Sequence, residues 1–172
     1  MKLKRFLAIV LSALMICSCC VCANADTCKE EPDEVIVHET ENGDIVSVAG
    51  VRVADIVDID ADYYMIVDYK GKGVSLYDYA ATGMKVIIMD ACGNVLEEKR
   101  IIIFGDVNGD GIITAADSRR VLRASVEFDI LNPWQKIAAD VVVDEAVKAD
   151  DARIILRATV RLENLVKIFE MF

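Results

Sequence analysis

The chain holds one histidine and, beyond its first 25 residues, two cysteines, a shortage of bases and no long apolar run. Each scarcity closes off a class of function. His38, with Cys28 and Cys92 far from it in sequence, gives no zinc-ligand set. The same two cysteines suffice for one bridge and are too few for a disulfide-stapled scaffold; their spacing leaves the pairing open. Nineteen basic against 29 acidic residues give a formal charge of −10. So acidic a surface repels phosphate backbones, which argues against nucleic acid and anionic membranes as partners. No stretch after residue 25 approaches the roughly 18–20 apolar residues that span a bilayer, so no transmembrane segment is expected.

Residues 1–25 are of a different kind. Lys2, Lys4 and Arg5 precede an apolar run from Phe6 to Ile16, and Ala23-x-Ala25 closes the segment. That is the layout of a secretory signal cut before Asp26. Cleavage removes three bases and no acid, taking the charge to −13. It also removes Cys17, Cys19, Cys20 and Cys22. The residues before Cys19 fit a lipobox poorly, so lipid anchoring is the lesser alternative. The expected product is exported, extracellular or held at the cell surface through a partner.

Four segments are expected: the signal at 1–25, an acidic disordered leader at 26–33, a small β-rich module at 34–104, and a helical domain at 105–172. Val35-Ile36-Val37, then Asn42-Gly43, then Ile45-Val46-x-Val48 reads as a hairpin. Tyr63–Tyr69, Met84–Met89 and Arg100–Phe104 are further strands, with a turn at Cys92-Gly93-Asn94. Residues 53–57 form one or two turns of helix on their apolar spacing. The fold class is α+β: a small antiparallel sheet followed by an all-α domain.

The second half carries an internal repeat. Asp106, Asp117, Leu122, Arg123, Ala124 and Val126 recur 34 positions later as Asp140, Asp151, Leu156, Arg157, Ala158 and Val160. Each copy is an Asp-led loop followed by an amphipathic helix, from Ala115 to about Glu127 and from Asp150 to about Leu162. Asn132-Pro133 starts a connecting helix that runs to about Ala139.

The first loop carries the chemistry. Calcium takes about six to eight hard oxygens, and alternate residues of a tight loop turn theirs inward. Asp106, Asn108, Asp110 and Asp117 stand at positions 1, 3, 5 and 12 of such a loop. Ile112 at position 7 offers its carbonyl, Thr114 at position 9 acts through water, and Gly111 at position 6 permits the reversal. An Asx- and Gly-rich surface turn is the bland alternative. It would not require all these constraints at once. The second loop keeps Asp140, Asp144 and Asp151 but has Val142 at position 3, Glu145 at position 6 and Lys148 at position 9. A vestigial site is expected there, with the Lys148 ammonium standing in for a metal.

Residues 105–163 resemble a type I dockerin, on Gly105-Asp106-Val107-Asn108-Gly109-Asp110-Gly111, the Leu-Arg-Ala runs at 122–124 and 156–158, and Asp at position 12. The segment from Thr82 to Phe104 is similar to a small β-rich module that often precedes dockerins in secreted proteins of anaerobic gut bacteria. The resemblance implies a calcium-dependent fold and a cohesin module of a scaffoldin as partner, in a cellulosome-like, polysaccharide-degrading setting. It implies a partner surface at Ala115, Ala116, Leu122, Arg123, Leu156 and Arg157, with Ala149 and Asp150 at the matching loop positions of the second unit. A monomer is expected. The alternative for the arginines is snorkelling on a solvated helix face.

Catalysis is not expected. His38 reads as a plain residue on an exposed strand with no nucleophile beside it. Residues 34–104 allow only a small core and no obvious cleft for a two-carboxylate glycosidase. Tyr63, Tyr64, Tyr69, Tyr77 and Tyr79 read as packing residues rather than a sugar-stacking platform. Two functions remain: a non-catalytic adaptor that docks to a cohesin, or a calcium-stabilised structural or carbohydrate-binding surface protein without one.

Overall fold

The computed structural model describes residues 35–59 and 63–171. The signal, the leader and Cys28 lie outside them. The described residues belong to one compact unit spanning 34–172. It is a mixed α/β arrangement: a five-stranded sheet and, among the described residues, five helices. No helix among the described residues is long and apolar enough to cross a membrane.

The expected hairpin forms. Strands β1 (Val37–Glu39) and β2 (Ile45–Ser47) pair antiparallel, with His38 opposite Val46. Gly43 takes a φ of +80°, and the Thr40 hydroxyl accepts the Asp44 N–H across the turn. A single helical turn, α1 (Val53–Ile56), follows. Strands β3 (Tyr64–Val67), β4 (Lys85–Met89) and β5 (Val95–Ile103) form an antiparallel meander. The β4–β5 turn is tied by Asp90, whose carboxylate accepts the N–H groups of Cys92 and Asn94.

The sheet is not wholly antiparallel. The strand order is β1-β2-β5-β4-β3, and β2 runs parallel to β5, Ile45 opposite Ile101. This corrects the expectation of an antiparallel sheet. Its cause lies in β5, whose end, Ile101-Ile102-Ile103-Phe104, is buried on both faces. So buried a strand has no water for its backbone N–H and C=O groups and must pair along both edges, and β2 supplies the second partner. Alternation then assigns the faces. Ile101 and Ile103 pack with Ile45, Val53, Ile56, Ile66 and Val86. Ile102 and Phe104, with Val46 and Val48, face the helices.

Past residue 104 come α2 (Ala115–Ser125), α3 (Pro133–Ala139), α4 (Ala149–Thr159) and α5 (Leu165–Phe169). The first three match the expected helices to within a few residues, and α5 is an addition. Helices α2 and α4 pack together through Val121 and Ile155, both fully buried, and the Ser118 hydroxyl donates to the Ala152 carbonyl at 2.6 Å. Ser118 and Ala152 are themselves 34 positions apart, so the two units meet at corresponding points. One apolar core holds Val46, Val48, Ile102 and Phe104 of the sheet side together with Val107, Val121, Ala139, Val141, Ile155 and Phe169. Packing therefore runs unbroken across residues 104–105.

Candidate metal centre

The first loop begins where β5 ends. Gly105, at φ +90°, turns the chain where a Cβ would come within 2.8 Å of Leu165. Its N–H donates to the Ala138 carbonyl, and the Gln135 amide donates to the Val107 carbonyl, so α3 pins the loop entrance. At the exit, Thr114 caps α2 in a reciprocal box with Asp117.

Asp106 is fully buried and acts as the hub. Its Oδ1 accepts the N–H groups of Gly109 at 2.8 Å and Asp110 at 3.2 Å. Its Oδ2 accepts those of Gly111 and Thr82, both at 3.0 Å. Asp117, also fully buried, accepts from Val107 and Asn108 N–H on Oδ1 and from the Thr114 N–H and hydroxyl on Oδ2. Asn108 and Asp110 lie on the outer side of the loop. The Asn108 amide donates to Asp110, whose other oxygen accepts the Ile112 N–H. Ile112 keeps its side chain exposed.

Burial pushes the Asp106 carboxyl above the ordinary carboxylate value. The N–H donors from Thr82, Gly109 and Gly111 oppose that shift, and the nearby Asp117 charge adds to it. Among the described residues no Lys, Arg or His pairs with Asp106, Asp110 or Asp117. The donor set fits calcium in kind: hard oxygens only, three of them carboxylates, with no cation of the chain's own among them. The side-chain oxygens are nevertheless engaged by the loop's own N–H groups. Among the described residues no three His, Cys, Asp or Glu side chains form a group that could hold a metal ion.

The second loop repeats much of the first loop's carboxylate bonding but not all of it: the Val141 N–H, matching that of Val107, donates to the Ala139 carbonyl and not to Asp151. Asp151 accepts the Val142 and Lys148 N–H groups, as Asp117 accepts those of Asn108 and Thr114. Asp140 accepts from Asp144 and Glu145, as Asp106 does from Asp110 and Gly111. Val143 and Glu145 take left-handed φ values of +56° and +65° where Gly109 and Gly111 stand in the first loop. The Lys148 ammonium is bonded to Asp144. That bond is the leading cause holding the Asp144 carboxyl below its ordinary value. Burial pushes the Asp151 carboxyl up.

The expected partner residues are solvent-accessible to different degrees. Ala115, Ala116, Leu122, Leu156 and Arg157 are exposed, and Arg123 is half-buried. Both arginines fold back onto acids six positions on. Arg123 donates through Nε at 2.8 Å and Nη2 at 3.0 Å to Asp129, and its guanidinium lies over Phe128. Arg157 donates to Glu163 at 2.9 Å.

Three further placements depart from expectation. His38 is half-buried, its ring edge-on to Phe169 at 4.6 Å, because α5 covers β1. The five tyrosines are exposed rather than packed, from 40% at Tyr64 to 74% at Tyr77. Thr82 and Gln135, which hold Asp106 and Val107, carried no loop signature in sequence. The one available pointer was Thr82-Gly83, a turn beside a strand.

Comparison with family models, with curated proteins and with solved structures finds no match to this chain.

Proposed function

We propose that the chain is an exported, non-catalytic adaptor whose residues 105–163 form a dockerin-like pair of loop–helix units. The first loop binds one calcium ion, and the helices dock to a cohesin module of a scaffoldin-type protein. Asp106, Asn108, Asp110, the Ile112 carbonyl and Asp117 would hold the ion. Its charge there would offset three carboxylates that pair with no Lys, Arg or His among the described residues. The observation that carries this reading is the 34-residue correspondence of the loops' hydrogen bonds, helix bounds and left-handed turns, which extends the sequence repeat to the backbone. A docking role draws support from apolar residues left exposed at matching positions on and just past the two helices: Leu122 with Leu156, Val126 with Val160, and Phe128 with Leu162.

The test is retention on immobilised cohesins encoded in the same genome, with calcium and with EGTA. Retention in calcium alone supports the adaptor. Retention in neither overturns it. Isothermal titration should find one tight calcium event per chain; two of comparable affinity would restore the second loop as a full site.

The five exposed tyrosines favour a second reading, a calcium-stabilised carbohydrate-binding surface protein. Pull-down on insoluble polysaccharide separates the two. Binding that Tyr77→Ala and Tyr79→Ala abolish, with no cohesin retention, would select it.

A further inference from the structure

The first loop is closed by a piece of chain that lies outside the repeat. Residues 80–82, just before β4, run against it. The Thr82 N–H donates to Asp106 Oδ2 at 3.0 Å, in a fully buried setting. Thr82 is itself clamped to the end of β5: its hydroxyl accepts the Ile103 N–H at 2.9 Å and donates to the Ile103 carbonyl at 3.1 Å. The loop backbone lies directly on this strap. A Cβ on Gly109 would come within 2.7 Å of the Thr82 carbonyl oxygen, and one on Gly111 within 3.1 Å of that of Ala80.

The second loop shows what these glycines are for. At the two matching positions Val143 and Glu145 adopt the same left-handed turn, and both are exposed. The turn alone therefore does not demand glycine in this framework. Close approach to the strap does. Among the described residues Asp140, the counterpart of Asp106, accepts only from its own loop, from Asp144 and Glu145. Among the described residues, such a strap lies on the first loop and not on the second.

We propose that residues 80–82 are a wall of the first loop's calcium site, with Thr82 its positioning residue. Thr82 fixes the rotation of the Asp106 carboxylate and links ion binding to the sheet. The proposal rests on the calcium reading above. Outer partners that orient a ligand commonly change metal affinity by about 10–100-fold. Coupling is reciprocal, so bound calcium must also steady the strap.

The experiment uses the full chain. Amide hydrogen exchange is followed at Thr82 with calcium and with EGTA, and calcium titration is run on wild type, Thr82→Val and Thr82→Ser. Calcium should slow exchange at Thr82 by about fivefold or more. Thr82→Val should weaken binding by about tenfold or more, and Thr82→Ser, which keeps the hydroxyl clamp, should restore it. Wild-type exchange decides the matter even if Thr82→Val does not fold. Tight calcium binding with unchanged exchange at Thr82 overturns the strap and leaves the loop assignment standing. So does a folded Thr82→Val chain of wild-type affinity. Absence of any calcium binding by the wild type overturns both.

Discussion

Asp117 serves two structures with one carboxylate. It closes the loop by accepting from Val107 and Asn108, and it starts α2 by accepting from Thr114. Removing it strands three backbone donors, each worth about 1–3 kcal/mol when buried without a partner. Asp117→Ala is therefore expected to destabilise the chain by about 3 kcal/mol or more even in EGTA, read by urea unfolding. Asp151→Ala, which strands two donors, should lose less. The arginines illustrate a different point. The Arg123 guanidinium beside Asp129 holds that carboxyl below the ordinary value of 3.8. Stability from such a pair is present above the ordinary value and lost as pH falls through the lowered one. Solvent still reaches both half-buried side chains, so the contribution is small. An NMR titration should place the Asp129 midpoint below 3.8, and Arg123→Gln should raise it. An unshifted midpoint in both chains would dissolve the pair in solution.

At the scale of elements, the two loop–helix units share hydrogen bonds and bounds but differ in strain. Glu145 holds a φ of +65°, a region that costs a side chain about 1–2 kcal/mol, while Gly111 takes the same turn freely. Glu145→Gly should raise stability by about 1 kcal/mol in a urea titration, the relief being partly offset by added freedom in the unfolded chain. Gly109→Ala should act in the opposite sense and by more, because its Cβ also meets the Thr82 carbonyl oxygen at 2.7 Å. If both substitutions proved neutral, the close approach of loop and strap would lose its footing.

Across the whole molecule, the decisive feature is the core that spans sheet and helices. Ile102 lies in it with no exposed surface, opposite Val46 in the sheet and in one core with the helix residues Val121 and Ile155. Ile102→Ala should cost about 3 kcal/mol or more. It should also shift the fluorescence of Trp134, which packs under Arg100 from α3, and the far-ultraviolet dichroism to one common midpoint. Separate midpoints would mean that sheet and helices unfold independently. Much of this architecture is written locally. The hairpin at Asn42-Gly43, the Pro133 helix start and the Asp-led loops follow from turn chemistry and capping within a few residues, and they stand where the sequence put them. So does the repeat, because each copy makes most of its carboxylate bonds inside one short loop. What only the tertiary structure decided is long-range. The parallel pairing of β2 with β5, the covering of His38 by α5, the exposure of the tyrosines and the seating of Thr82 on Asp106 each depend on which distant segment arrives. A chain's periodicity names the face that will be buried, but it does not name the partner, since pairing is chosen by competition among all the surfaces available at once.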